Sequence, residues 1–189
     1  MFHRPHSPPL LTCALSLLLA STAHAAASSP APESLQPLLA TINERLDIAD
    51  EVALTKWDSG RPIQDTTREA LIIANARKQA AQHKLDPDDA AELIAAQIEA
   101  NKLVQYGLIA VWQAAHKAPD VSRPDLNKLR PKLDELQARL LQQYADFMPY
   151  RIDPQCPSWL AEQRSALIKD ALHGQALIRA TGELCVTDQ

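Results

Sequence analysis

The fold is decided by the stretch ERLDIADEVALTKW at residues 44–57, which extends an apolar pattern that begins near residue 35. Apolar residues recur at spacings of three and four, the period of one helix face. They are Leu35, Leu39, Ile42, Leu46, Ala49, Ala53 and Trp57. Arg45 and Lys56 lie on one edge of this stripe, about three turns apart. The pattern predicts a core-facing helix whose two cations converge on an anion, the alternative being two surface charges.

The first 25 residues are predicted to be a cleaved signal peptide. A weakly basic start precedes an apolar run at 10–20, and AHA at 23–25 has the pattern of a cleavage site. The run is too short to span a membrane, which takes about 18–20 residues. We therefore expect an exported protein without a membrane anchor, with a flexible segment at 26–33 and one domain at 34–189.

Composition favours a helical protein with a negative charge. The 189 residues carry a net charge of −4, and cleavage after residue 25 removes one Arg and no acid, which makes it −5. Such a chain lacks the basic character of most nucleic-acid-binding proteins, so we expect no nucleic-acid partner. Only 4 glycines and many Ala, Leu and Gln residues favour helices over strands. We predict an all-α, single-domain bundle of five to six helices with a long N-terminal helix.

Cleavage leaves two cysteines, Cys156 and Cys185. In an exported protein an even pair predicts a disulfide, the alternative being two buried thiols. A straight helix of about 25 residues between them would span about 37 Å, whereas a disulfide needs their Cα atoms within about 7 Å. We therefore predict a C-terminal helical hairpin, closed by the disulfide, that turns at His173-Gly174.

Start and stop signals divide the chain into helices. We predict them at about 32–58, 65–83, 86–117 and 126–147, followed by two short helices within 158–184. Gly60 ends the first, and Asp86-Pro87 opens the third because Asp caps a helix and Pro suits its first turn. Thr66 with Glu69 has the spacing of a capping box. Pro131 is expected in the first turn of the fourth helix.

Polar residues at two places on these helices are candidates for a binding site. Gln97, Asn101 and Gln105 form a neutral stripe along the third helix, and Asp65, Arg68 and Glu69 lie within one turn of the second. Each group has an ordinary alternative. The first would be a solvated face, and the second a helix cap with a surface ion pair worth at most about 1 kcal/mol.

The combined pattern resembles the active site of the all-helical chorismate mutases. It consists, in order, of Arg45, Lys56, Asp65, Arg68, Glu69, Asn101 and Gln105. The surrounding segments are also similar: ERLDIADEVALTKW at 44–57, RPIQDTTRE at 61–69, LDPD at 85–88 and QIEANKLVQY at 97–106. The signal peptide and the C-terminal cysteine pair resemble the exported gamma subclass. The resemblance spans about residues 33–185 and is densest up to residue 106.

This resemblance implies an isomerase that converts chorismate to prephenate by an intramolecular Claisen rearrangement, with no cofactor and no metal. Such an enzyme holds a flexible dianion in a compact chair and stabilises the charge that grows as a C–O bond breaks. By resemblance, Arg45 and Arg130 would bind substrate carboxylates, and Asn101 would contact one of them. The guanidinium of Arg suits a carboxylate because it can donate two parallel hydrogen bonds to it and stays charged.

The resemblance assigns the remaining residues to the reacting part of the substrate. Lys56 and Gln105 would point at the ether oxygen, where negative charge grows. Arg68, oriented by Asp65, would add a third cationic contact near the ring. Glu69 would accept a hydrogen bond from the substrate hydroxyl.

Three positions qualify these assignments. In the exported subclass an Arg early in the fourth helix closes the pocket within one chain. Arg130 has that place, but Pro131 restricts its backbone, and Arg139 is the alternative. Some exported relatives carry Glu where this chain has Gln105, and some have a polar residue where it has Ile72.

Two other interpretations compete with an enzyme. A non-catalytic periplasmic adaptor or ligand carrier of the same fold would have lost at least one central cation. A metal-binding bundle is disfavoured because His83, His116 and His173 lie in separate segments without ligand spacing on one helix. From the resemblance we expect a periplasmic or secreted homodimer that takes chorismate as its small-molecule substrate.

Overall fold

The computed structural model describes residue 1 and residues 29–186, so the predicted signal peptide, apart from its first residue, lies outside the described residues. The described part contains six α-helices, two 3₁₀ turns and no strand. The helices are α1 (Leu35–Ser59), α2 (Thr66–Ala80), α3 (Pro87–Ala115), α4 (Leu126–Phe147), α5 (Cys156–Ser165) and α6 (Ala171–Thr181). The all-α prediction and the long N-terminal helix are confirmed. None of these helices combines the length and apolar character needed to cross a bilayer.

The apolar stripe of α1 places this helix at the centre of the bundle. It packs against α3 and α4, while α2 and α6 pack against α3. Every member of the predicted stripe from Leu35 to Ala53 is buried, and each large one contributes about 1.5–3 kcal/mol by leaving water. Trp57 is half-buried and meets Trp112 of α3 edge to face, with ring centroids 6.1 Å apart.

Local capping fixes where α1 ends and α2 begins. Gly60 has a φ of 64°, a left-handed conformation that glycine adopts without strain, and it terminates α1. Asp65 caps α2, since its Oδ1 accepts a hydrogen bond from the Arg68 N–H at 3.0 Å. Glu69 Oε1 accepts in return from the Asp65 N–H at 3.0 Å. The reciprocal cap therefore begins one residue before the predicted Thr66.

Two details of the predicted helices are wrong. The C-terminal hairpin turns at residues 166–170, between α5 and α6, because Asp170 caps α6 by accepting from the His173 N–H at 2.9 Å. Gly174 lies inside α6, where an added Cβ would come within 3.1 Å of Ile168, so its lack of a side chain serves close packing. Pro131 lies in the second turn of α4 rather than the first.

The C-terminal hairpin is closed by the predicted disulfide. Cys156 and Cys185 are bonded, with Cα atoms 5.8 Å apart. Arg151 holds the same end of the chain, since its guanidinium donates to the carbonyls of Glu183 at 2.9 Å and Leu184 at 3.2 Å. The covalent and hydrogen-bonded links together attach the C-terminal segment to the bundle.

Replacing both cysteines, Cys156→Ala with Cys185→Ala, should lower the free energy of unfolding by about 3–4 kcal/mol, because the unfolded chain gains the freedom of a loop of 29 residues. Urea unfolding followed by circular dichroism measures this change. Reductant should destabilise the natural chain to a similar extent and leave the double variant unaffected. Equal unfolding midpoints for the two proteins would contradict a stabilising role.

Candidate active site

All eight predicted site residues line one cavity of about 460 Å³ in the described part of the chain. Arg45 and Lys56 come from α1, and Asn101 and Gln105 from α3. Asp65, Arg68 and Glu69 come from the start of α2, and Arg130 from α4. The packing of four helices thus brings together residues that are up to 85 positions apart in the chain.

The cavity is positively charged although the whole chain is negative. Six cations line it, namely Arg45, Lys56, Arg61, Arg68, Lys102 and Arg130, against the carboxylates of Asp65 and Glu69, a net charge of +4. Among the described residues only Lys102 of these six lies within 4.0 Å of a carboxylate oxygen. Cations left without carboxylates in a concave site attract an anionic ligand, and several together suit a dianion.

Arg45 offers a free donor in the wall of the cavity. Its side chain donates from Nη1 to the Leu133 carbonyl at 3.0 Å, while Nε is buried without a hydrogen-bond partner in the described structure. Burial lowers the pKa of Arg45 to about 10, and the charge of Asp134 opposes this effect. The guanidinium therefore stays charged at neutral pH.

The polar stripe of α3 is not a solvated face. Gln97 and Gln105 are only 2% and 3% exposed, and Gln97 donates to the Ala180 carbonyl at 2.7 Å, which ties α3 to α6. Asn101 Nδ2 donates to the Arg45 carbonyl at 3.2 Å, which leaves Asn101 Oδ1 as an acceptor. Gln105 Nε2 donates to that oxygen at 2.6 Å. The α1 backbone thereby orients Asn101, and Asn101 orients the Gln105 amide.

Lys56 is fixed by the turn that follows α1. Its Nζ donates to the Ile63 carbonyl at 2.6 Å, in the segment that Gly60 turns back over the helix end. Burial lowers the pKa of Lys56 below the ordinary 10.5, and the nearby charge of Lys102 acts in the same direction, while the carboxylates of Asp65 and Glu69 oppose this effect. An ammonium with one protein acceptor keeps two N–H donors for a ligand.

The start of α2 presents one cation and one paired carboxylate. Asp65 accepts from the Arg68 backbone N–H and so positions Arg68 through the main chain. Glu69 Oε2 lies 3.0 Å from Lys102 Nζ. Burial tends to raise the pKa of Glu69, but hydrogen bonds from the Asp65 N–H and Lys102 lower it below its ordinary value. Glu69 is therefore an ionised acceptor at neutral pH.

The structure separates the two candidate cations of α4. Arg130 lines the cavity and has no carboxylate within 4.0 Å among the described residues. Arg139 lies outside the cavity lining, where it pairs with Glu44 at 3.1 Å and with Glu135 at 3.2 Å. Only Arg130 is therefore placed to contact a ligand in the cavity.

Two cavity cations were missed by the sequence analysis. Arg61 opens the RPIQDTTRE segment directly after Gly60, and Lys102 follows Asn101 in QIEANKLVQY. Both lie inside segments that resemble the family, and this position could have identified them as candidates. Among the described residues, no group of three or more His, Cys, Asp or Glu side chains is arranged to hold a metal ion.

Comparison with known proteins identifies the family. A family model described as chorismate mutase type II matches residues 36–106. The chain is 32% identical over 168 residues to the secreted chorismate mutase of Mycolicibacterium smegmatis, which covers 87% of this chain and 92% of that protein. It is also 28% identical over 155 residues to the secreted chorismate mutase of Mycobacterium tuberculosis. That match covers 80% of this chain and 78% of the mycobacterial protein.

A solved structure extends the likeness to the fold. The crystal structure of chorismate mutase from Burkholderia phymatum superposes with a TM-score of 0.79 at 38% identity, covering 82% of this chain and 97% of that one. Both the sequence and the helical bundle are therefore shared over most of the chain. The chain belongs to the all-helical chorismate mutase family.

Proposed function

We propose that this protein converts chorismate to prephenate by an intramolecular Claisen rearrangement in the cavity between α1, α2, α3 and α4. The observation that best supports this proposal is the set of five cavity cations that have no carboxylate within 4.0 Å in the described part of the chain. The reaction breaks and forms bonds within one molecule and needs no nucleophile. Catalysis then consists of holding the reactive conformation and stabilising the charge that develops.

Substrate binding is assigned to cations from α1 and α4, two helices that pack against each other. Arg45 of α1 and Arg130 of α4 bind the two carboxylates of chorismate, and the unpartnered Nε of Arg45 supports this assignment. Asn101, beside Arg45, contacts one of the carboxylates through its remaining amide proton. Charged contacts to both carboxylates restrict the substrate to a compact geometry, which lowers the entropic part of the barrier.

Charge stabilisation is assigned to Lys56 and Gln105, which donate to the ether oxygen. Lys56 is held by Ile63 and Gln105 by Asn101, so both donors have defined positions before the C–O bond breaks. The long contact of 3.4 Å from Gln105 Nε2 to the Asn101 carbonyl is the one that the ether oxygen would replace. Arg68 adds positive charge near the ring, with its backbone held by Asp65. Glu69, kept ionised, accepts the hydrogen bond of the substrate hydroxyl.

The completeness of the cavity argues against a non-catalytic carrier. A protein that only binds an anion has no need to keep Lys56 and a neutral donor such as Gln105 in the same cavity as Arg45 and Arg68. All of them line it together. No separate observation favours the carrier.

We also propose that the protein is exported and forms a homodimer. Cleavage of residues 1–25 would release residues 34–189 as the functional domain, and the disulfide agrees with an oxidising compartment outside the cytoplasm. The relatives from the two mycobacterial species are named as secreted proteins. Exposed apolar side chains on α2 and α3, such as Leu71 and Val111, provide surface for a second copy. Sedimentation of the mature protein tests the dimer.

Replacing Lys56 by Ala should lower kcat by about 100-fold or more, because the charge on the ether oxygen would lose a fixed donor. Loss of chorismate absorbance by the purified protein measures this effect. Lys78→Ala serves as the matched control, since Lys78 is an exposed lysine of α2 away from the cavity. Retention of most of the activity by folded Lys56→Ala would remove Lys56 from the mechanism.

The two arginines of α4 should behave differently. Arg130→Ala should raise the KM for chorismate roughly tenfold or more, because one carboxylate loses a charged hydrogen-bond partner. Arg139→Ala should leave KM nearly unchanged, since Arg139 forms exposed ion pairs outside the cavity. A larger effect at Arg139 would reverse the assignment.

The pH profile of kcat/KM should be flat from about pH 5 to 8, because the Gln105 amide does not titrate. On the alkaline side, the rate should begin to fall before the pH reaches 10.5, the ordinary pKa of a lysine. The reason is that only charged Lys56 is active and that burial lowers its pKa. Gln105→Glu should make the rate fall as pH rises, since a carboxyl group donates only when protonated. A sharp loss above pH 6 in the natural enzyme would exclude Gln105 as the donor.

A further inference from the structure

Lys102 differs from the other cations of the cavity because it is paired. Its Nζ lies 3.0 Å from Glu69 Oε2 and 2.7 Å from Glu99 Oε1. The Lys102 side chain is 12% exposed and the Glu69 side chain 19%, so this pair is shielded from solvent. Glu99 is 48% exposed and does not line the cavity. A cation held by two carboxylates is poorly placed to bind a third one from a substrate.

The pair fixes the orientation of the Glu69 carboxylate. Oε1 accepts from the Asp65 N–H at 3.0 Å, and Oε2 accepts from Lys102 at 3.0 Å. With both oxygens engaged, from α2 and from α3, rotation of the carboxylate would break at least one charged hydrogen bond. Each oxygen still has a second lone pair, so Glu69 can also accept a substrate hydroxyl.

The charges around Glu69 explain why it needs a cation. The charged groups that line the cavity with it come from every surrounding element. They are Arg45 and Lys56 from α1, Arg61 from the turn after α1, Asp65 and Arg68 from the start of α2, Lys102 from α3, and Arg130 from α4, and Glu99 of α3 pairs with Lys102 outside the cavity. A bound dianion would add two negative charges and so disfavour an ionised Glu69. Lys102 is the cation in direct contact with Glu69, so it can offset the charge of Glu69 while the other cations bind the substrate.

We propose that Lys102 is a positioning residue for the rearrangement, which holds Glu69 ionised and oriented to accept the hydroxyl of chorismate. This inference rests on the proposed function. Lys102 acts through Glu69 and touches neither the breaking ether bond nor the substrate carboxylates. Removal of its charge should therefore affect the reaction through the protonation and placement of Glu69.

The test compares Lys102→Met, Lys102→Gln and Lys102→Arg with the natural enzyme. Lys102→Met should lower kcat/KM about tenfold at pH 7, and by more at lower pH because Glu69 becomes protonated more readily. Lys102→Gln keeps a hydrogen-bond donor without the charge and should show the same acid sensitivity. Lys102→Arg keeps the charge and should restore most of the activity and the flat profile. Lys78→Met controls for the loss of one lysine.

An NMR titration of the Glu69 carboxyl carbon supplies a readout that does not depend on activity. The pKa of Glu69 should rise in Lys102→Met and stay low in Lys102→Arg. Unchanged pH profiles in both neutral variants, or a Glu69 that titrates at the same pH in all of them, would overturn the role of Lys102. A natural protein that does not consume chorismate would overturn the proposed function, while the titration would still decide the Lys102–Glu69 link.

Discussion

Mutual repulsion among unpaired cations is the constraint on which this structure depends. Five cations without a nearby carboxylate share one cavity of the described chain, where their like charges repel one another. Turning away into water would relieve this repulsion for a side chain that is free to move. The buried stripe of α1 prevents this for Arg45, which is 8% exposed. Core packing thus keeps Arg45 close to the other cations, and a bound dianion would reduce the repulsion among them.

The cations and the neutral donors of the cavity are held by different means. Arg45 and Lys56 keep their geometry through backbone carbonyls, those of Leu133 and Ile63, which leave the positive charge uncompensated. Gln105 is held by a side chain, Asn101, that is itself fixed by the Arg45 carbonyl. In the proposed mechanism, binding of the carboxylates and donation to the ether oxygen would thereby be linked through one short stretch of α1.

The sequence predicted what depends on local patterns. The stripe of α1, the helix starts at Asp65 and Asp86, and the disulfide follow from periodicity, capping and compartment. The predicted position of the hairpin turn was wrong because glycine often ends a helix. At Gly174 the glycine instead leaves room for the side chain of Ile168, and this packing is not visible in a local sequence pattern. The Lys102–Glu69 pair joins two helices across 33 residues, and no spacing rule within one helix reveals such a contact.

The cavity is lined by residues of one chain, Arg130 included. This has a genetic consequence for the gene that encodes the protein. Two alleles damaged at different cavity residues, such as Arg45 and Arg130, would each yield chains with an incomplete pocket, and no pairing of those chains would rebuild a whole one. Complementation between such alleles should therefore be absent.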